Sequence, residues 1–436
     1  MLSCERPDTL DVQCEQTAAK PPSTAARLLH SKYMDSRRNF IGKVATGIAG
    51  TLAAGPAEVL GAADRIRVGI IGAGDRGMEL VSQIRACPNT EIAAFADIYS
   101  TRLERAQGAV PNSAAHTDYR HLLEDKSLDA VVIATPPHLH AAQFTDALDA
   151  GKHVYLERLA AFTVDHAKRM RATYQKYGSK RTVQIGHQAC SFGHASDVRQ
   201  FLADPDRMGK ITAIAMQMHR NTPGNKPQWA RTALFTPDLT EQNVAWENFL
   251  GEARPFDPHS FIHWRYFWET SGGNVFEGMS QQLSFWYKAL DLQIPRTASM
   301  EGGVYLWKDG REVPDTMSVT LQQPEEILIS WVSGAGNNQL GIGEDVLGTH
   351  GSISRASQVR YTPQKVNRPS AAEMTGRAAH TPQAHMQNFF DCIRSGKEPN
   401  CPFELGFRVS VACRMAVDSY RLGRSLRWDA AREEIV

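Results

Sequence analysis

Cysteine is scarce in this chain: 436 residues hold seven. None falls in a C-x-x-C pair, which excludes a zinc knuckle and a thioredoxin-type redox site. No stretch reaches the ~20 apolar residues that a transmembrane helix needs. Charge of one sign is lacking too. Lys and Arg number 48 against 47 Asp and Glu, a net charge of +1 at pH 7, so neither nucleic acid nor an anionic membrane is implied as a partner. There is no internal repeat, sustained heptad or long charge block, which excludes solenoids, coiled coils and charged tails. What is present is the balance of a globular protein, 42% hydrophobic and 22% charged, in a chain long enough for two cores.

The N-terminus reads separately from the rest. Residues 1–33 are polar, without useful periodicity, and are expected to be an extension with no role in the fold; Met34 stands where a start would be expected. Ser36-Arg37-Arg38-Asn39-Phe40-Ile41-Gly42 and the mildly apolar run Val44 to Ala54 read as a twin-arginine signal over 34–63, with cleavage between Ala57 and Ala63. The expectation is passage through the twin-arginine export machinery to the periplasm or medium, with a cofactor already bound. After the signal, Cys87, Cys190, Cys392, Cys401 and Cys413 remain. Cys392 and Cys401 can pair across a Pro-containing loop, but buried free thiols are the default.

The most informative segment begins at Arg65. The apolar run Ile66 to Ile71 leads into Gly72-Ala73-Gly74-Asp75-Arg76-Gly77, a G-x-G-x-x-G turn between a strand and a helix, and Asp97 closes the next apolar run. Gly72 permits the tight turn, Gly74 lets a pyrophosphate reach the backbone, and Gly77 lets the helix pack close. The helix N-terminus then holds the phosphates. A carboxylate at Asp97 accepts from a ribose 2′-OH and repels a 2′-phosphate, which favours NAD over NADP. Arg102 and Arg105 read as exposed helix charges.

Short buried strands are expected at Ile66–Ile71, Ile92–Ala96, Ala130–Ala134, His153–Leu156 and Val183–Ile185, alternating with helices Met78–Ala86, Ala141–Ala150 and Val164–Tyr177. This is a doubly wound α/β Rossmann domain over 65–187. From 188 to 428 the pattern changes to longer strands (Lys210–His219, Ser299–Trp307, Met317–Gln323, Ile327–Val332) and helices at Met279–Leu290, Pro382–Arg394 and Glu404–Leu422. That predicts an α+β domain with a large, open, mostly antiparallel sheet, whose free face suits a homo-oligomer.

In an open α/β sheet the ligand lies beyond the C-terminal strand ends. Two further loops reach there, Ala134-Thr135-Pro136-Pro137-His138-Leu139-His140 and His153-Val154-Tyr155-Leu156-Glu157-Arg158-Leu159. These loops, Gly151-Lys152-His153-Val154, Trp246-Glu247-Asn248-Phe249-Leu250-Gly251, Trp264-Arg265-Tyr266-Phe267-Trp268 and Gly272-Gly273-Asn274 resemble, in order, the Gfo/Idh/MocA family of glucose–fructose oxidoreductase and inositol dehydrogenase. The resemblance spans Arg65 to Trp428. It implies hydride transfer between NAD(P) and a sugar or cyclitol hydroxyl. Some exported members of that family keep NAD bound, and one branch cleaves glycosides through a transient oxidation.

Two departures bear on the chemistry. The family's Glu-Lys-Pro is here Glu157-Arg158-Leu159, and arginine is a poor general base because it stays protonated. Positions where many members carry Asp, His and Asp read Glu277, Gln281 and Ser284. Glutamine binds a hydroxyl but cannot take its proton. Glu277 is then either a buried carboxyl with a raised pKa or the partner of Arg265. His187, His219 and His263 are further base candidates. His138 and His140 are spaced so that their rings point apart, and no metal site is expected. The aromatics Phe261, Trp264, Tyr266, Phe267 and Trp268 either stack on a sugar or fill a core; in a strand, Trp264 and Tyr266 share a face.

The reading is an NAD-dependent oxidoreductase acting on a small carbohydrate, with the cofactor on Gly72, Ala73, Gly74, Asp75, Arg76, Gly77 and Asp97. Thr135, Pro136, His140 and Glu157 are expected near the ribose and nicotinamide, and Arg158, Tyr266, Glu277 and Gln281 in the substrate pocket. The alternatives are a redox-neutral glycosidase or lyase working through a keto-sugar, and a sugar-binding protein without catalysis.

Overall fold

The computed structural model describes residues 65–192, 195–222, 226–356, 358–364, 376–377 and 382–436. The expected extension (1–33) and export signal (34–63) lie outside the described residues. Strands β1 (Ile66–Ile71), β2 (Thr90–Ala96), β3 (Ala114–His116), β4 (Ala130–Ile133), β5 (His153–Leu156) and β6 (Val183–Ile185) form a parallel sheet in the order β3-β2-β1-β4-β5-β6. Continuous apolar runs form β1, β4, β5 and β6 because both faces are covered. The strand order reverses between β1 and β4, where a crevice opens at the strand ends. β3 escapes a sequence reading: Ala114 and Ala115 are exposed and make no apolar run.

The second sheet is built from β7 (Ile211–His219), β8 (Thr297–Gly303), β9 (Thr316–Gln322), β10 (Leu328–Gly334), β11 (Ile342–Gly348), β12 (Gly351–Arg355), β13 (Gln358–Pro363), β14 (Gly376–Arg377), β15 (Leu426–Asp429) and β16 (Glu434–Ile435). Its order is β14-β13-β12-β11-β7-β10-β9-β8-β15-β16. β7 and β10 pair in parallel with Leu328 opposite Ala213, and the other recorded pairs are antiparallel. Alternation sets the faces. Ile214, Met216, Met218, Val319, Ile329 and Trp331 point inward, into one core with the helices Ser280–Leu290 and Phe403–Leu422. Leu328, Val332, Ile342 and Leu347 are exposed. The sheet runs past residue 428, the expected end of the domain, through β16.

The two halves interlock. Helix Pro382–Ser395 returns to the first domain, where Met386, Phe389 and Phe390 share a core with Val68, Ile70 and Tyr155. A segment near residue 240 is stitched beside the end of β2. The Ala245 N–H donates to the Ile98 carbonyl at 2.8 Å, the Ser100 N–H to the Asn243 carbonyl at 3.0 Å, and the Tyr99 hydroxyl to Asp238 at 2.7 Å.

Two expectations are corrected, and the default reading of the cysteines is met. Trp264–Tyr266 is a 3-10 turn rather than a strand, so these residues do not share a face by alternation. The helix expected from Met279 begins at Ser280, after a π-helical turn, Val275–Met279, that carries Glu277. Cys392 and Cys401 are not joined; with Cys87, Cys190 and Cys413 they are buried free thiols. Among the described residues, no helix is long and apolar enough to cross a membrane.

Candidate active site

The glycine turn is shaped by contacts a side chain would break. Gly72 has φ +96°, and a Cβ there would lie 2.9 Å from the Ala134 carbonyl carbon. A Cβ on Gly77 would fall 1.9 Å from the Gly72 oxygen, so the helix Asp75–Arg85 approaches its own turn as closely as backbone allows. Gly74 differs: a Cβ there would meet only Arg102 Nη1, at 4.0 Å. Its open side faces a cavity of about 460 Å³. Gly74 is the N-cap of that helix and no side chain caps it, so its first N–H groups and positive dipole end point at the cavity. These features fit a dinucleotide pyrophosphate.

Asp97 is nearly buried at the end of β2. Its carboxylate accepts from the Ala73 N–H at 2.8 Å and the Tyr99 N–H at 3.0 Å. Each oxygen keeps a further lone pair for a ribose hydroxyl. Arg102 is no exposed helix charge. It lies over the Phe261 ring at 4.8 Å, 3.9 Å from Asp97, and lines the cavity. The floor comes from the first domain through Gly74, Asp97, Thr135 and Pro136. Trp229, Phe261 and Trp264 of the second domain roof it.

At the domain junction a line of alternating charge continues from the cavity. Arg76 donates to Glu157 Oε1 through Nε at 2.9 Å and Nη2 at 2.6 Å. Arg158 Nη1 stands 3.6 Å from Glu157 and Nη2 3.8 Å from Glu277. Arg265 Nε donates to Glu277 Oε1 at 2.8 Å. Arg76 and Arg265 both line the cavity. Glu277 does not have the raised pKa considered from sequence. Burial alone would raise it, but Arg265 and Arg158 outweigh burial and hold the carboxyl below its ordinary range. It is an ionised acceptor. The Arg158–Leu159 peptide is cis.

Other expected site residues sit differently. His140 is fully buried, with Nδ1 2.8 Å from the Leu159 carbonyl and Nε2 2.8 Å from the Thr135 carbonyl. It ties the two active-site loops together and acts on the site through their backbone. The Thr135 hydroxyl donates to Gln143 at 2.5 Å. Tyr266 is buried outside the cavity, stacked on His263 with ring centres 4.8 Å apart and covered by Arg311 at 4.3 Å. Burial pushes its hydroxyl up to about 12, which suits a packing role. Gln281 lies against His187. His187 is fully buried, and neither ring nitrogen has a well-directed hydrogen bond. Burial, then Arg158, pushes its pKa down to about 3. His138 contacts the Phe249 carbonyl at 2.7 Å. Among the described residues, no cluster of three or more His, Cys, Asp or Glu could hold a metal ion.

Sequence reasoning missed Trp229 and Arg231, which reach the cavity from an irregular stretch with no periodic signal. It placed Arg265 only as a possible partner of Glu277, not as a wall of the cavity.

A glycine cradle at the switch point of a parallel sheet, roofed by an α+β domain, defines a two-domain dinucleotide-binding protein. Residues 66–187 match the model of the Gfo/Idh/MocA family, described as "Oxidoreductase family, NAD-binding Rossmann fold". An uncharacterized oxidoreductase of Bacillus subtilis, YrbE, is 34% identical over 122 residues, 28% of this chain and 35% of that protein. A glycosyl hydrolase family 109 protein of Shewanella baltica is 34% identical over 111 residues, 23% of this chain and 24% of that protein. The chain thus spans between about a quarter and little more than a third of the length of the curated relatives it matches. A crystal structure of scyllo-inositol dehydrogenase from Lactobacillus casei, with NAD(H) and scyllo-inositol bound, superposes with a TM-score of 0.61 at 16% identity, over 83% of this chain and 99% of that one. At that identity the likeness shows the fold alone.

Proposed function

We propose that this protein is an NAD-dependent oxidoreductase acting on a hydroxyl of a sugar or sugar derivative, with its cofactor tightly held. The observation that carries the proposal is the continuity of the two sites: the walls of the dinucleotide cavity, Arg76 and Arg265, are bonded to Glu157 and Glu277 on either side of Arg158. A bound nicotinamide supplies the hydride acceptor. The chain supplies the rest. Glu157 is fixed by Arg76. Arg158 stays cationic and stabilises negative charge on the substrate electrostatically. Ionised Glu277 accepts the hydroxyl hydrogen bond and takes up its proton as the hydride leaves. The fit of Asp97 to a ribose 2′-OH supports NAD over NADP, and the stitched segment around Asp238 and Val244 supports slow cofactor release.

The test is to purify the protein, quantify bound nucleotide, and add sugars and glycosides. NADH formation stoichiometric with the protein is the expected result. A redox-neutral glycosidase is the second reading, favoured by the family 109 relative; release of the glycoside's leaving group without accumulated NADH would establish it. A protein with no affinity for any nicotinamide nucleotide would exclude both readings.

Export through the twin-arginine pathway is also proposed, supported by Arg37-Arg38 and the apolar run after them. Replacing both arginines with lysine is expected to retain the protein in the cytoplasm. An unchanged periplasmic fraction would contradict it.

A further inference from the structure

Two arginines of this fold show what full pairing looks like. Arg355 binds Glu344 through two nitrogens at 2.7 and 2.5 Å, and Arg414 binds Asp418 at 2.8 and 2.5 Å. Arg158 is the exception within the junction cluster. Its one side-chain hydrogen bond runs from Nε to the Glu277 backbone carbonyl at 3.4 Å. Both Nη groups stand beyond hydrogen-bond reach of the nearest carboxylates, at 3.6 and 3.8 Å. The side chain is 24% exposed, so its fork has four N–H donors to offer.

The surroundings are also incomplete. Beside Arg158, His187 and Gln281 face each other in a contact that falls short of a well-formed hydrogen bond, and among the described residues both ring nitrogens of His187 and Oε1 of Gln281 are buried without another partner. Buried polar atoms in a native fold are nearly always paired, and each left unpaired costs about 1–3 kcal/mol. A structural ion network would close itself, whereas this one leaves the Arg158 fork partly exposed. Arg76 is paired with both Glu157 and Glu79 and Arg265 with Glu277, whereas Arg158 meets its carboxylates only across gaps of 3.6 and 3.8 Å.

We propose that Arg158 is the recognition group for a carboxylate on the substrate, and that the substrate class is a sugar acid, a uronate or aldonate, rather than a neutral sugar. This rests on the oxidoreductase reading and specifies its substrate. The planar guanidinium presents two parallel N–H groups to two carboxylate oxygens, a match that a lysine ammonium lacks. His187 and Gln281 are positioning residues that line the far side of Arg158.

The experiment is calorimetric titration of the NAD-loaded full chain with D-glucuronate, D-glucose and glucose 6-phosphate, with NADH formation followed separately. Glucuronate is expected to bind at least about tenfold more tightly than glucose, the scale of a charge-assisted bidentate contact. Arg158→Gln should bring the glucuronate-to-glucose affinity ratio to about one, whatever it does to glucose binding itself, and Arg158→Lys should keep part of the preference. The wild-type comparison needs no variant and stands if one fails to fold. Equal binding of glucuronate and glucose, or tighter binding of the phosphate ester, overturns the proposal. Carboxylate-selective binding with no NADH formed from any sugar would leave this assignment intact and count against the oxidoreductase reading.

Discussion

Gly74→Ala will cost nucleotide binding and leave the fold standing, whereas Gly77→Ala will cost both. The added Cβ at Gly74 touches only the far end of Arg102, at 4.0 Å, and Gly and Ala differ at an N-cap by about 1 kcal/mol. The methyl occupies the face where a pyrophosphate must approach. Overpacking of that kind costs about 1–3 kcal/mol, or roughly 10–100-fold in NADH affinity. At Gly77 the Cβ would sit 1.9 Å from the Gly72 oxygen, and no side chain can move aside to relieve it. The helix must back away from the turn, taking stability and the cradle with it. NADH titration and thermal unfolding of both variants measure the contrast. Equal loss of stability in the two, or full NADH affinity in Gly74→Ala, would contradict this assignment of roles.

The second large effect is a loss of stability in mild acid. Burial is the main cause that pushes His138 and His153 down to about 4 and His187 down to about 3, against an ordinary 6.5. The sign follows from proton counting. At about pH 5 the unfolded chain carries all three as imidazolium and the folded chain carries them neutral, so unfolding takes up about three protons. Stability is therefore complete above 6.5 and falls as pH drops through the window between 6.5 and the folded values, by on the order of 4 kcal/mol per pH unit near pH 5. Glu277 acts in the same direction at lower pH, because its folded pKa is depressed. Urea unfolding at a series of pH values measures the slope, and His187→Gln should reduce it by about a third. A stability curve flat from about pH 6.5 to 5 would show that these rings are protonated in the folded chain.

Both effects concern features that differ in how far the sequence reveals them. The glycine turn, Asp97 and strands β1, β5 and β6 are local patterns: an apolar run, a turn and an acid at a fixed spacing. They were legible because each is set by its own neighbours. Strand β3 was not, because three residues with two exposed alanines pair through backbone alone. Helix Pro382–Ser395 was legible as a helix from its apolar spacing, but nothing in that spacing says that Phe389 and Phe390 complete the core of the first sheet. The junction cluster was the least legible. Arg76 and Glu157 are 81 residues apart, and Arg158 bonds the backbone of a residue 119 positions away. The sequence supplied the residue types, but the direction of the Glu277 shift depends on which arginines the fold brings to it. The setting of Tyr266 was hidden for a related reason: its stacking on His263 and its cover by Arg311 come from residues the fold brings together.

The central claim is that the cavity beneath Trp229 and Trp264 is a nicotinamide dinucleotide site. Energy transfer from tryptophan to NADH tests it most directly, because those two indoles form part of the cavity wall. Titration of the nucleotide-free protein is predicted to give saturable sensitised NADH emission at one equivalent per chain, displaced by NAD and weakened by Gly74→Ala. Absence of transfer at saturating NADH, or emission unaffected by Gly74→Ala, would contradict it.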